Sequence, residues 1–383
     1  MRLRSPLKHA AARLIRLDAL TKLDILNALR ESRPDRLQEL YSRADLVRKQ
    51  NAGDAVHLRG LIEVSSHCVR QCMYCGLRLD NRSLQRYRMP REEILECARQ
   101  AERLGYGTVV MQGGEDDELT AEWVAEIVRW IKRETSLAVT LSLGERQLDE
   151  FKLWRAAGAD RYLLRFETSD KKLFRTIHPQ RFSGRPDRLT LLRQLKDLGY
   201  EAGGGVMVGI PGQSFESLAD DILTCRALDL DMIGIGPYIA HTATPLGSGA
   251  LRPEISPSEQ VPGTVEMVYK MIALTRIACP SANIPSTTAL ATLNKVDGRK
   301  MGLRVGANVV MPNLTPVKYR RLYEIYPAKA CIDESATDCN QCLRGQIHSL
   351  GRFAGQGPGG RSALEAPMNP MVGASSQLVQ LQA

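Results

Sequence analysis

Cys68, Cys72 and Cys75 occur in the run Ser65-Ser66-His67-Cys68-Val69-Arg70-Gln71-Cys72-Met73-Tyr74-Cys75-Gly76. The spacing is C-x3-C-x2-C, with an aromatic just before the last cysteine. Three thiolates on one short loop can hold three irons of a cubane cluster, whereas a four-iron cluster normally takes four protein ligands. The fourth iron is then left open, and an open metal position is where chemistry can happen. A closed zinc tetrahedron would need one more ligand, such as His67. Disulfides fit poorly, because three close cysteines cannot all pair and nothing in the sequence marks secretion.

Such a loop needs a frame. The chain has 383 residues, 43% of them hydrophobic, enough for a large core. No apolar run approaches the roughly 18 residues of a membrane span. Nine cysteines without a secretion signal point to a reducing, cytoplasmic setting. The net charge is +9, but no compact Lys/Arg run with interleaved aromatics points to nucleic acid. The first 17 residues hold five Arg or Lys and no acid, which reads as a basic helix or frayed end. From Leu20 to Lys49 apolar residues recur at three and four, and Pro34 divides the stretch into two helices.

From Leu58 onward, short β-rich runs alternate with helical stretches. Candidate strands are Gly60–Val64, Thr108–Gln112, Ala138–Leu143, Tyr162–Phe166, Gly204–Val208, Met232–Gly236, Asn283–Thr287 and Asn308–Met311. Eight β runs separated by helices predict parallel βα units closed into a (β/α)8 barrel. Residues 1–50 read as an N-terminal helical cap, 51–322 as the barrel, 323–353 as a C-terminal segment, and 354–383 as a mobile Gly/Pro/Ser/Ala/Gln-rich tail. A polar or glycine-rich motif follows each strand, among them Gly113-Gly114-Glu115-Asp116, Gly144-Glu145 and Glu167-Thr168. Barrel enzymes build their sites at that end of the strands. The glycines at 203–205 and 209–212 lack the Lys-Ser/Thr pair of a phosphate loop and read as close packing.

The cysteine spacing resembles the signature of the radical S-adenosylmethionine (SAM) superfamily. The chain further resembles the HydE family of FeFe-hydrogenase maturases, kin of biotin synthase and methylornithine synthase. The segments that carry this are Ser65–Leu77, Arg86-Tyr87-Arg88-Met89, Thr140–Glu145, Ala156–Thr168, Gly234–Pro237, Asn283–Thr288, Gly306–Asn308 with Met311–Asn313, and Leu322–Pro327. The resemblance implies a 4Fe-4S cluster on Cys68, Cys72 and Cys75, with SAM chelating the open iron and cleaved to a 5′-deoxyadenosyl radical. It also implies roles for residues at matching positions. Tyr74 lies beside the cofactor. Gln112, Gly113, Gly114 and Glu115 meet the methionine amino group, and Ser142 lies near SAM. Glu145 serves the ribose or stands behind it. Glu167 pairs with the amino group, and Arg188 clamps the carboxylate, for which a guanidinium fork suits the geometry.

By the same resemblance, Thr140, Arg161, Arg165, Met232, Thr287, Thr288, Met311, Tyr323 and Tyr326 line the substrate end. Arginines four residues apart on a strand share a face, so Arg161 and Arg165 are expected together around an anion. In a HydE-like protein that anion is an iron complex carrying carbon monoxide, cyanide and a cysteine ligand. The implied reaction is radical attack on the sulfur of that ligand, on the way to the di-iron centre of the H-cluster. A reductant such as ferredoxin or flavodoxin and the scaffold GTPase HydF are the implied partners.

Cys331, Cys339 and Cys342 form a second set, C-x7-C-x2-C. It matches the place of an accessory iron–sulfur cluster in part of the HydE family, and three soft ligands favour iron–sulfur or zinc. Free surface thiols are the other reading. The set is expected outside the ring of strand-end motifs and outside catalysis. Cys97, Cys225 and Cys279 fall in helical patterns and read as core. Two positions depart from the family pattern: Phe166 stands where some HydE proteins carry His, and Gly113 where relatives carry Ser. Three other functions compete: a methylornithine-synthase-like mutase, a non-catalytic iron–sulfur scaffold, and a zinc-binding nucleic-acid module. The last two leave Glu167, Arg188 and Gly113-Gly114-Glu115 without a role.

Overall fold

A computed structural model describes residues 20–179 and 186–361. The basic first 17 residues and the tail beyond 361 lie outside the described residues. The strands are β1 (Ala55–Ser65), β2 (Thr108–Gly113), β3 (Ala138–Ser142), β4 (Arg161–Leu163), β5 (Glu201–Val208), β6 (Met232–Pro237), β7 (Val309–Val310) and β8 (Phe353–Ala354). β1 to β6 pair in sequence order, all parallel, and β7 pairs β1 on its other side. Asn283 bridges Met232 and Pro285 bridges Val309, so this short segment closes the gap between β6 and β7. The result is a (β/α)8 barrel whose seventh staves are single bridges rather than a full strand.

The helices between strands follow from amphipathic spacing and capped starts. Thr120, Asp187, Ser214 and Thr264 each accept a backbone N–H of the first turn that follows. Pro34 opens the helix Pro34–Ala52, after the shorter Lys22–Arg30. This N-terminal pair packs on the barrel's outer helices Phe215–Ala227 and Val265–Ala278. Lys270 Nζ donates to the carbonyls of Leu29 and Glu31, satisfying groups a helix end leaves open.

The floor of the barrel corrects two expectations. Residues 354–361 are not a loose tail. β8 pairs the start of β1, and the following carbonyls of Pro358 and Gly359 accept from Arg161, Thr108, Arg59 and Asn283. Arg361 ion-pairs with Asp229 and Asp231 outside the floor. Arg161 is therefore held at the N-terminal end, on Glu201, Thr108 and Pro358, and not beside Arg165. The two arginines do share a face, but four strand residues span about 13 Å. Met232 starts β6, where its sulfur lies 2.9 Å from Arg59 Nη1, and Thr140 pairs with Arg161. None of these three reaches the cavity described below.

Arg161→Ala is expected to cost about 2–3 kcal/mol of stability, since it strands a half-buried carboxylate and a buried carbonyl. Chemical denaturation checks this, with the Michaelis constant for SAM expected to hold. A changed constant at unchanged stability would return Arg161 to the substrate end.

Candidate active site

The upper, C-terminal mouth opens on a cavity of about 350 Å³. Cys68, Cys72, Tyr74 and Cys75 line it, with Gln112, Gly113, Gly114, Glu115, Ser142, Arg165, Glu167 and Arg188. Thr287, Thr288, Met311, Tyr323 and Tyr326 line it as well. Of the expected site residues only Thr140, Glu145, Arg161, Met232 and Cys342 are absent from its wall. Glu145 stands directly behind that wall, ion-paired to Arg70 and Arg188.

The cysteine loop leaves the end of β1 and crosses the mouth. Val69 N–H donates to Glu115 O, and Met73 N–H to Ile177 O, pinning the loop to the turn after β2 and to the end of the helix Lys171–Ile177. Arg86 holds its far side through the carbonyls of Ser66, Leu77 and Arg78. Gly114 lets the loop lie close, since a Cβ there would stand 2.1 Å from His67 O and 2.7 Å from Cys68 Cβ. Burial raises the Cys72 thiol, and Cys75 and Cys68 add to it. Cys75 is pushed up to about 12 by burial and by Cys68. Three thiols on one loop, Cys72 buried and Cys68 and Cys75 half-buried, that all line one cavity suit a metal cluster better than free thiols, so the donor set fits iron–sulfur.

Glu167 has φ +61°, rare for a residue with a side chain. Phe166 and Glu167 both donate backbone N–H to Gly205 O, a bulge that re-aims the carboxylate. Asp221 anchors the loop behind it by accepting from Ser169 N and Oγ. The Glu167 carboxylate takes Arg165 Nε at 3.1 Å and Nη2 at 3.0 Å. Arg165 also donates to Val206 O. Gly234 lies beside it, where an added Cβ would meet Arg165 Nη1 and Gly204 O, each at 3.7 Å.

Five charged or titratable residues on this wall were not singled out from the sequence: Arg70, His178, Glu63, Arg299 and Lys329. Arg188, first residue of its helix, donates to Glu145 at 2.8 Å, Glu115 at 3.3 Å and the Arg165 carbonyl at 2.5 Å. Burial opposes its charge, but Glu145 and Glu115 outweigh that and hold its pKa up. Glu115 is raised by burial, against the pull of Arg188 and Arg70. Gly144 admits the Glu115 side chain, since a Cβ there would stand 1.9 Å from Glu115 Cγ. Glu115, Glu145 and His178 approach within 4.8 Å of one another, but the arginines already occupy them. Across the cavity, Lys329 Nζ lies 2.6 Å from Glu63 Oε1, both buried.

Cys331 and Cys339 also line this cavity, so the second cysteine set is not remote from the mouth. Cys331 is lowered by a hydrogen bond from Cys339 and by the Arg299 guanidinium 3.9 Å away. Cys342 follows three residues later on the helix Ala336–His348 and is exposed. Cys97 and Cys225 are buried and Cys279 is half-buried, all packed with the core. Phe166 is buried against Gly204 of β5. Among the described residues no helix is long and apolar enough to cross a membrane.

The family model described as the radical SAM superfamily matches residues 62–225. The [FeFe] hydrogenase maturase subunit HydE of Thermotoga maritima is 46% identical over 324 residues, covering 85% of this chain and 89% of that protein. The 3-methylornithine synthase of Methanosarcina acetivorans is 28% identical, covering 72% and 74%. The crystal structure of a methylornithine synthase superposes with a TM-score of 0.72 at 25% identity, covering 88% and 94%.

Proposed function

The chain belongs to the HydE family within the radical SAM superfamily and is a radical SAM enzyme, and from that premise we propose that its substrate is a small anionic iron complex. The complex carries carbon monoxide, cyanide and a cysteine ligand, and its product goes toward the di-iron centre of FeFe-hydrogenase. The observation that carries this reading is the charge of the wall. Five cationic side chains, Arg70, Arg165, Arg188, Arg299 and Lys329, line the cavity against three carboxylates, Glu63, Glu115 and Glu167. A low-dielectric cavity with excess positive charge favours an anion.

A 4Fe-4S cluster and SAM bound at Cys68, Cys72 and Cys75 would supply a 5′-deoxyadenosyl radical. Gln112, Gly113, Gly114, Glu115 and Ser142 form the wall next to those thiols. Glu167, now paired with Arg165, would receive the SAM amino group, and that exchange would free Arg165 for the substrate anion. Tyr323, held to Gln112 at 3.2 Å, and Tyr326, Thr287, Thr288 and Met311 shape the far end. Thr287 Oγ1 also caps the helix Thr288–Leu293. A low-potential reductant of the ferredoxin or flavodoxin kind supplies electrons, and the scaffold GTPase HydF receives the product.

The test is anaerobic. The reconstituted, dithionite-reduced protein is given SAM, and 5′-deoxyadenosine is quantified with and without the cysteine-ligated iron dicarbonyl cyanide complex. Stimulation by the complex is the expected result. Indifference to it, with stimulation by a small charged amino acid, would favour the mutase reading. No SAM cleavage from a protein with a full cluster would favour a scaffold.

Cys331, Cys339 and Cys342 are proposed to hold an accessory cluster. Cys339→Ala is expected to lower the iron content while 5′-deoxyadenosine production stays within about twofold, under 0.5 kcal/mol in barrier. Iron analysis alongside the assay checks this. Loss of cleavage in a folded variant would make the two cysteine sets one functional unit.

A further inference from the structure

Arg70, inside the C-x3-C loop, and Arg188, first residue of the helix Arg188–Asp197, meet on one imidazole. His178 closes the helix Lys171–Ile177, with its ring stacked on Phe174 at 4.9 Å and 18°. Arg70 Nη2 lies 2.9 Å from its Nδ1 and Arg188 Nη2 lies 2.7 Å from its Nε2. A guanidinium only donates, and a neutral imidazole has one acceptor nitrogen. One of the two arginine N–H groups therefore has no acceptor on the ring. Protonating the ring would remove the other acceptor too, and burial with Arg188 and Arg70 holds His178 well below its ordinary pKa. Arg70 shows a second deficit: its buried Nε has no hydrogen-bond partner. Arg70, Arg188 and His178 all line the cavity. Buried donors without acceptors are costly, and a carboxylate brings two acceptor oxygens.

We propose that Arg70 and Arg188 together form a two-guanidinium seat for the SAM carboxylate, with His178 the positioning residue that sets their spacing. The inference rests on the radical SAM reading but not on the identity of the iron substrate, because SAM alone reads it out. Arg70 is then a SAM-binding residue as well as part of the cluster loop. Glu115 and Glu145 hold both guanidiniums, at 3.3–3.6 Å for Arg70 and 2.8–3.3 Å for Arg188. The ring supplies a neutral acceptor that SAM can outcompete.

The test uses the full, cluster-loaded chain and two ligands, SAM and decarboxylated SAM. Dissociation constants are measured anaerobically for wild type, Arg70→Lys, Arg70→Gln and His178→Gln, with iron per chain as the control for loading. Wild type is expected to bind decarboxylated SAM at least about tenfold more weakly, the size of one charge-assisted hydrogen bond lost. That penalty should shrink to about two- or threefold in Arg70→Gln, with intermediate values in Arg70→Lys and His178→Gln. In His178→Gln the Michaelis constant for SAM should rise while turnover at saturation holds. Equal penalties in wild type and variants would overturn the proposal, as would a lower turnover with unchanged affinity. If Arg70→Gln fails to load iron, Arg70→Lys and His178→Gln decide it. If wild type binds no SAM, the radical SAM reading itself fails, a result distinct from the others.

Discussion

Cys75→Ala protein is expected to load no complete cluster and to form no measurable 5′-deoxyadenosine, below about one thousandth of wild type, with Cys68→Ala and Cys72→Ala alike. Each cysteine would hold one iron, and loss of one thiolate leaves that iron without its protein ligand. Among the lining residues near the loop, Glu115, Glu167 and Tyr74 are oxygen donors, the first two already paired with arginines, and both ring nitrogens of His178 face arginines. The fold should survive, because β1 is buried along its whole length in a large apolar core, and Cys68 and Cys75 only pack against that core as partly buried residues. Visible absorption, iron and sulfide analysis and the SAM cleavage assay check it, with circular dichroism as the folding control. Retained cleavage in any one variant would sink the cluster assignment.

Arg165→Gln is expected to remove the stimulation of SAM cleavage by the iron complex. Arg165 is the cationic group that an incoming anion would meet once Glu167 turns to the SAM amino group. Its Nη2 now shares itself between Glu167 Oε2 at 3.0 Å and Val206 O at 2.8 Å. Losing a desolvated charged contact to a substrate costs about 2–5 kcal/mol, roughly thirtyfold or more in kcat/KM for the complex. Cleavage of SAM alone should fall by no more than about tenfold, since Glu167 stays anchored by its backbone bonds to Gly205 and Met207. Equal loss with and without the complex would place Arg165 in SAM binding rather than substrate binding. Unchanged stimulation would remove it from the site.

Much of the frame was legible because its causes are local. Alternating β-rich runs and helical spacing placed six of the eight predicted strands as strands that pair in order. The seventh was harder. Its backbone contributes only bridges at Asn283 and Pro285, because Pro285 has no N–H to donate and Thr287 already caps the next helix. Two-residue β8 was missed because its pairing with Ala55 and Val56 joins positions about three hundred residues apart. A Gly- and Pro-rich stretch such as 355–361 carries no periodicity to show that its carbonyls close the barrel floor.

By itself the sequence determined the cysteine triad, the parallel barrel, and the placing of Gly113-Gly114-Glu115 and Glu167 at strand ends. Each of these follows from spacing along a few residues. The tertiary structure decided what meets what. Strand periodicity says that Arg161 and Arg165 share a face, but only the barrel says that one lies at the floor and the other at the mouth. Cys331 and Cys339, distant in sequence from Cys68, came to line the same cavity because the chain returns over the mouth after β7. His178 sits between Arg70 and Arg188, 108 and 10 positions away, and Lys329 finds Glu63 across 266 positions. Such contacts arise from closure of the barrel, which brings strand ends together irrespective of their order. A local pattern specifies which way a side chain points, while its partner is specified by every strand between them.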